Sequence, residues 1–350
     1  MGINMKKNII IYGVFLFFVL FGITACTKKQ EFIEQESQLS FFSMDTSISL
    51  TAYGENAEIA LKKVKQQIQD LEKLWSVTEE ESEIYKINHS NGKEIEVSKE
   101  TTEILTFALQ MAEQTEGALE PSIYPVVSAW GFTTEEKRVP LKEEITNLLT
   151  YVGYKRIRLS GNNVQLETGM QLDLGSLGKG YAGDKAVEIL KKCGITSALL
   201  DIGGNIQIIG RKPDGQDWRL GVRSPFYGDI LGIIELSDCA VITSGSYERY
   251  FVDKNGIIYG HIINPQTGYP VENDLASVTI IASQGKQCDA LSTALFVMGL
   301  DKAIEYWRKN EGFEAILVTK EQGIYITEGI KKKFTLKQAY DYLKVYEVNR

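Results

Sequence analysis

Asp289 and Thr293 stand four positions apart inside an otherwise mostly apolar run, Cys288-Asp289-Ala290-Leu291-Ser292-Thr293-Ala294-Leu295-Phe296. On a helix that spacing sets a carboxylate and a hydroxyl on one face. Two hard oxygen donors of this kind suit Mg²⁺, which takes few protein groups and fills its other positions with water or phosphate. The same pair also serves as a helix N-terminal cap followed by a solvated hydroxyl, and residue types alone leave both readings open. A second cluster lies upstream, where an apolar strand ending at Leu174 enters a turn carrying Gly175, Gly178, Lys179, Gly180 and Gly183 before the helical pattern Ala186-Val187-Ile189-Leu190. Glycines let the main chain approach a ligand, and a helix start favours negative charge, so a phosphate or pyrophosphate is the expected occupant. His261, one of two histidines, precedes Asn264-Pro265-Gln266-Thr267-Gly268. An imidazole there is either a satisfied structural residue or a base for a hydroxyl nucleophile. The other histidine, His89, sits in the polar stretch Asn88 to Asn91 and reads as surface loop.

Further polar or glycine-rich clusters fall at Asp201-Ile202-Gly203-Gly204-Asn205 and Thr243-Ser244-Gly245-Ser246-Tyr247-Glu248-Arg249-Tyr250. Each follows an apolar strand, where loops on a rigid scaffold usually bear function. Gly178 to Gly183 also satisfies G-x-G-x-x-G, with Asp201 at about the distance of a ribose-binding acid. The context argues against a dinucleotide fold, because the later strands lack crossover helices. Nor is there a Walker loop, since no Ser or Thr follows Lys179.

The elements that must position these groups read as α+β. Phe41 to Tyr53 alternates as a strand, and Ala60, Leu61, Val64, Ile68, Leu71 and Leu74 recur at helical spacing within 57–75. Helices are expected at 101–115, 142–152, 184–193, 289–298 and 302–310. Successive strands at 197–200, 206–209, 218–222, 231–236 and 240–243, then 276–282 and a closing hairpin at 315–319 and 324–327, imply a mostly antiparallel sheet. One compact domain over 41–345 is expected, with no internal repeat.

The chain has 350 residues and a net charge of -8, which argues against a nucleic-acid partner. Lys6 and Lys7 precede an apolar run from Ile9 to Phe21 that is too short to span a bilayer and suits an export signal over 1–25. Ile23-Thr24-Ala25-Cys26 looks like a bacterial lipobox, which makes Cys26 the lipidated first residue of the mature chain, anchored at the outer face of the cell membrane. An uncleaved anchor helix is the alternative. Residues 26–40 then read as a polar tether. Cys193, Cys239 and Cys288 form no C-x-x-C pair, so neither zinc nor a disulfide framework is implied, and Cys193 and Cys239 read as buried small hydrophobes.

In order along the chain, Met44-Asp45-Thr46, Asp173 to Asp184, Asp201 to Asn205, Thr243 to Tyr247, His261 to Gly268 and Asp289 to Thr293 resemble the FAD:protein FMN transferases, the ApbE family of exported flavin-transferring lipoproteins. The resemblance covers roughly residues 41–330. It implies a single T-fold-like domain and a Mg²⁺-dependent reaction that cleaves the FAD pyrophosphate. FMN would pass to a Thr or Ser hydroxyl of an exported acceptor protein, releasing AMP. It further implies that FAD contacts Met44, Thr78, Ala118, Leu119, Glu120, Asp173, Lys179 and the main chain at Ile263, and that Mg²⁺ is held by Asp289, Thr293 and the backbone oxygen of Ser176. Lys179, His261 and Asp289 would carry the catalysis, with His261 the base and Asp289 the fallback. Thr78 stands where many members carry an aromatic residue, and Asn264 where Asp is common. Two other functions remain in competition: a lipoprotein that only holds FAD, and an FAD pyrophosphatase giving FMN and AMP.

Overall fold

In the computed structural model, which describes residues 35–134 and 136–350, the alternating segment 41–53 is not one strand. Strand β1 (Glu36–Ser43) and strand β2 (Thr46–Tyr53) pair antiparallel, with Ser43 opposite Thr46. Met44 and Asp45 make the two-residue turn at φ 52° and 55°, the left-handed pair that tight hairpins favour. For residues with a Cβ that conformation costs roughly 1–2 kcal/mol each. The Glu72 carboxylate holds the turn by accepting the Met44 N–H at 2.7 Å and the Ser43 hydroxyl at 2.5 Å. β1 therefore takes in residues 36–40, which the sequence reading placed in the tether. The export signal, Cys26 and the earlier tether residues lie outside the described residues.

The chain continues through α1 (Ala57–Trp75), α2 (Glu83–Asn88), β3 (Ile95–Glu96), α3 (Lys99–Gln114), α4 (Tyr124–Ala129), α5 (Lys142–Leu149), β4 (Arg158–Ser160) and β5 (Asn163–Gln165). After α6 (Gly178–Lys192) come β6 (Ser197–Ile202), β7 (Asn205–Ile209), β8 (Trp218–Arg223), β9 (Ile230–Leu236), β10 (Ala240–Gly245), β11 (Tyr250–Val252), β12 (Ile258–Gly260) and β13 (Leu275–Ala282). Then follow α7 (Gly285–Met298), α8 (Leu300–Lys309), β14 (Phe313–Thr319), β15 (Gly323–Thr327), β16 (Phe334–Leu336) and β17 (Lys344–Val348).

Among the described residues, nine strands form the main sheet in the order β1-β2-β6-β7-β10-β13-β14-β15-β17, antiparallel except for the β15–β17 pair. The α+β expectation holds, and Gln35–Arg350 forms one compact unit. Sequence spacing does not separate the sheets, however: β9 pairs with β8 on one side and β16 on the other in a sheet of their own. That small sheet covers one face of the main sheet, packing Trp218, Leu220, Val222 and Ile234 on Val241, Ile281, Ile316 and Val318. The helices cover the other face, where Ile48, Leu50, Leu200, Val278 and Ile280 meet apolar side chains of α1, α6 and α7. With both faces covered, all eight residues of β13 are buried, and its alternation becomes a continuous apolar run. A third apolar cluster sets Val126, Trp130 and Ile145 against Ile263 beside the site.

Two helices start earlier than the sequence spacing implies. α6 begins at Gly178 rather than Asp184, and α7 at Gly285 rather than Asp289. The reason is a glycine-mediated crossing of the two helices. A Cβ on Gly180 would lie 2.4 Å from the Gly285 oxygen and 2.7 Å from Asp289 Cβ, and one on Gly183 would lie 2.2 Å from Gln207 Nε2. These glycines let α6 pack closely, Gly180 against α7 and Gly183 against Gln207 of β7, so the G-x-G-x-x-G match is not a dinucleotide loop. Asp184 receives the first N–H groups of α7, from Gly285 at 2.6 Å and Lys286 at 3.0 Å. Asp289 accordingly sits inside α7, and the cap reading falls.

Candidate functional site

Every residue assigned from the sequence to FAD, Mg²⁺ or catalysis lines one cavity of about 460 Å³. Met44, Thr78, Ala118, Leu119, Glu120, Asp173, Ser176, Lys179, His261, Ile263, Asp289 and Thr293 reach it from six separate stretches of chain. Apolar lining comes from Val77, Leu119, Ile123, Val127, Phe132, Ile262 and Ile263, and polar lining includes Lys179, Asn205, Thr243, Ser244 and Glu248. Cavities of this size and mixture suit a ligand with a flat apolar part and a charged part.

α6 and α7 together present Asp289. Its Oδ2 accepts the Gly180 N–H at 2.8 Å, and the residue is 5% exposed. Burial raises its pKa, against the pull of the Lys179 ammonium and the Gly180 N–H. A cation bound at this carboxylate would favour its ionised form, opposing the effect of burial. Thr293 follows one turn later on α7, its Oγ1 3.5 Å from the Ser244 hydroxyl, which also contacts Ser292 at 2.8 Å. Because the Gly180 N–H goes to Asp289, the usual helical donor to the Ser176 carbonyl is diverted. No backbone N–H among the described residues donates to that oxygen.

The residues thus fit a hard cation: a buried carboxylate, a hydroxyl on the same helix face and a carbonyl left without a backbone donor. Among the described residues no three His, Cys, Asp or Glu side chains cluster as zinc ligands would. Among the described residues Cys193, Cys239 and Cys288 are unpaired, and it is Cys288 that is fully buried while Cys193 and Cys239 are half-buried, a correction to the sequence reading.

The glycine turn offers fewer free donors than its composition implies. The Gly175 N–H goes to Asp173 Oδ1 at 2.6 Å, Leu177 and Gly178 donate to Leu174 O, and Gly180 serves Asp289. Anion binding therefore falls more heavily on side chains, chiefly the Lys179 ammonium. Burial raises the pKa of Asp173.

His261 is held by the carbonyl oxygen of Arg249, which accepts the His261 backbone N–H at 3.0 Å and contacts its Nδ1 at 3.1 Å. A carbonyl partner makes Nδ1 the protonated nitrogen, so Nε2 carries the free lone pair. Burial lowers the ring pKa to about 4, with the positive charges of Arg249 and Lys179 pushing the same way. The imidazole is thus neutral at physiological pH, with the Nε2 lone pair open to a proton. His89 is exposed, as its surroundings imply.

Glu120 lines the cavity, but its carboxylate is occupied: Ser122 donates its N–H at 2.9 Å and its hydroxyl at 2.7 Å, and Tyr154 donates its N–H at 2.9 Å. It organises two loops beside the cavity. Arg249 clasps the Met44–Asp45 turn through the Asp45 carboxylate at 2.8 Å and the Asp45 carbonyl at 3.0 Å. Glu248 reaches solvent yet has protein on most sides, and its pKa is raised by burial. Glu72, Phe132 and Asn205 also line the site without having been singled out as site residues. Glu72 and Phe132 carry no local signature, whereas Asn205 closes a cluster that the sequence did mark.

Known proteins resemble this chain over most of its length. The chain matches the ApbE family model over residues 44–317. It is 32% identical over 290 residues to the FAD:protein FMN transferase of Treponema pallidum, covering 77% of this chain and 80% of that protein. The protein of the same name from Haemophilus influenzae is 30% identical, with 91% and 95% covered. Among solved structures, the ApbE protein of Thermotoga maritima superposes with a TM-score of 0.77 at 33% identity over 89% of this chain and 99% of its own. The flavin transferase ApbE of Vibrio cholerae gives 0.75 at 25% identity, with 89% and 99% covered. With a shared fold, a family match that runs from the Met44 turn past the Asp289 helix, and relatives covered over most of their length, this chain belongs to the ApbE family.

Proposed function

We propose that this protein transfers FMN from FAD to a Thr or Ser hydroxyl of an exported acceptor protein, with Mg²⁺ required and AMP released. The observation that carries the reading is the convergence of Asp289, Thr293, Lys179 and His261 on one cavity that also has an extensive apolar lining. The relatives' shared name supports the substrate and the transfer. Lipidation of Cys26 and residence at the outer face of the cell membrane belong to the same reading and rest on the sequence alone. Among the described residues, no helix is long and apolar enough to cross a membrane.

Charge sets the task. A pyrophosphate diester carries two negative charges that repel an incoming oxygen nucleophile, so the site must offset them and aim the hydroxyl. Asp289, Thr293 and the Ser176 carbonyl are the residues that would hold Mg²⁺, which when bound withdraws charge from phosphoryl oxygens and eases departure of the nucleotide. The Lys179 ammonium adds a fixed positive charge beside Asp289. His261 accepts the acceptor's hydroxyl proton at Nε2, while Arg249 O fixes the ring through Nδ1. The apolar residues Met44, Leu119, Ile123 and Phe132 exclude water and receive the flavin ring.

The direct test incubates the purified protein with FAD, Mg²⁺ and an exported flavoprotein acceptor, and follows covalent flavin fluorescence on the acceptor. Mg²⁺-dependent labelling with stoichiometric AMP is expected. AMP release without labelling would reduce the protein to a pyrophosphatase, and FAD binding with neither product would reduce it to a carrier.

A further inference from the structure

Asn205 opens β7 immediately after the Gly203-Gly204 turn and is only 3% exposed, yet its Nδ2 finds no hydrogen-bond partner among the described residues. A buried amide donor without a partner costs about 1–3 kcal/mol, so native structures rarely leave one idle. This one lines the same cavity as Asp289 and Lys179. Asn205 lies close enough to Asp289 to favour its ionised form, but the contact falls short of hydrogen-bond geometry.

The surroundings fix where the amide sits. Asp201 Oδ1 accepts the Gly204 N–H at 2.7 Å and shapes the turn, while Gly203 adopts φ 61° with the Thr46 side chain packed where its Cβ would go. Two residues further along β7, Gln207 donates to Gly180 O at 3.0 Å and ties the strand to α6. Asn205 therefore sits between two tethered stretches, one held by the Asp201 carboxylate and one by the Gln207 side chain, with its own donor unused.

The N–H groups of the glycine turn are largely taken by Asp173, Leu174 and Asp289. A phosphoryl group beside Asp289 thus meets few free donors besides Lys179. We infer that Asn205 is a ligand-contacting residue whose Nδ2–H binds a phosphoryl oxygen of the dinucleotide. This rests on the FAD reading above and adds a residue to it. A neutral donor here serves better than a second cation, because it binds phosphoryl oxygen without repelling a metal held by Asp289.

Calorimetry on the folded protein separates this role from a structural one. Asn205→Ala and Asn205→Asp are titrated with FAD and with riboflavin, which has no phosphate, in EDTA and again in Mg²⁺. Folding of each variant is checked by thermal unfolding. The inference predicts FAD affinity down about tenfold in Asn205→Ala, with and without Mg²⁺, and lower still in Asn205→Asp, where a carboxylate replaces the donor. Riboflavin affinity stays at the wild-type value. Equal loss of riboflavin and FAD, or loss seen only with Mg²⁺, would overturn it in favour of a packing role or of simple orientation of Asp289. Failure of wild-type protein to bind FAD would instead refute the functional reading on which it rests.

Discussion

Gly180→Ala probes the helix crossing that delivers the acid to the site. The added methyl would lie 2.4 Å from Gly285 O, 2.6 Å from the Gly285 carbonyl carbon and 2.7 Å from Asp289 Cβ. Ordinary contact is about 3.4 Å or more, so α6 and α7 must part by close to 1 Å. Overpacking of this kind costs roughly 1–3 kcal/mol, and the gain from replacing a helical glycine by alanine returns about 1 kcal/mol. The net is a loss of at most about 2 kcal/mol, too little to unfold a domain of this size. The larger effect is local. The Gly180 N–H that holds Asp289 Oδ2 at 2.8 Å moves with the helix, so the Mg²⁺ requirement should rise at least tenfold. Gly178→Ala is the stability control, because its Cβ meets only Trp75 Cε3 at 3.8 Å. Urea unfolding of both variants, with FMN transfer measured across a Mg²⁺ series, decides the matter. A Gly180→Ala protein that is more stable than wild type and keeps the same Mg²⁺ dependence would refute the crossing as the device that sets Asp289.

His261 should remain neutral down to about pH 4, so its ring protons, followed by NMR with His89→Asn to remove the other histidine, should titrate well below the usual 6.5; a midpoint near 6.5 would contradict the buried geometry. Glu103 is held down to about 2 by hydrogen bonds from Tyr181 and Lys185, so it stabilises the fold above pH 4.5 and loses that contribution as pH falls from 4.5 toward 2. Glu103→Gln should therefore lower stability at pH 7 and leave it nearly unchanged at pH 2, read by thermal unfolding across pH; an equal loss at both would remove the ion-pair explanation. Glu72→Gln weakens the acceptor that holds the Met44 N–H, and should weaken riboflavin binding severalfold with little change in overall unfolding; unchanged binding would mean that the turn holds itself.

How much of this was legible in the sequence depends on the range over which each signal acts. Helix α1 announces itself through Leu61, Val64, Ile68 and Leu71, because a single buried face imposes a 3.6-residue period. The true start of α6 is hidden, since glycines that permit a helix crossing are written like glycines that make a turn. Only the partner helix, meeting Gly180 at Gly285, tells them apart. The hairpin at Met44–Asp45 escapes for a related reason, as neither residue is glycine and the turn is held by Glu72, distant in sequence. The separate β8-β9-β16 sheet depends on which strands share a face, a long-range property that alternation does not encode. Lys179, His261, Asp289 and Thr293 were legible because their clusters carry unusual residue types at strand or helix ends, whereas Met44, Thr78, Ala118, Leu119, Glu120, Asp173, Ser176 and Ile263 came only through the family resemblance; the fold brings both groups to one cavity. Their electrostatics were not legible, for the low His261 pKa and the raised Asp289 pKa both come from burial by parts of the chain far away.

Release of AMP from FAD by purified wild-type and Asp289→Ala protein, measured across a Mg²⁺ titration, tests the central claim most directly. The account predicts saturable, Mg²⁺-dependent release by the wild type and its loss in a folded Asp289→Ala variant. Wild-type release that continues undiminished in EDTA, or an Asp289→Ala variant with full activity, would contradict it.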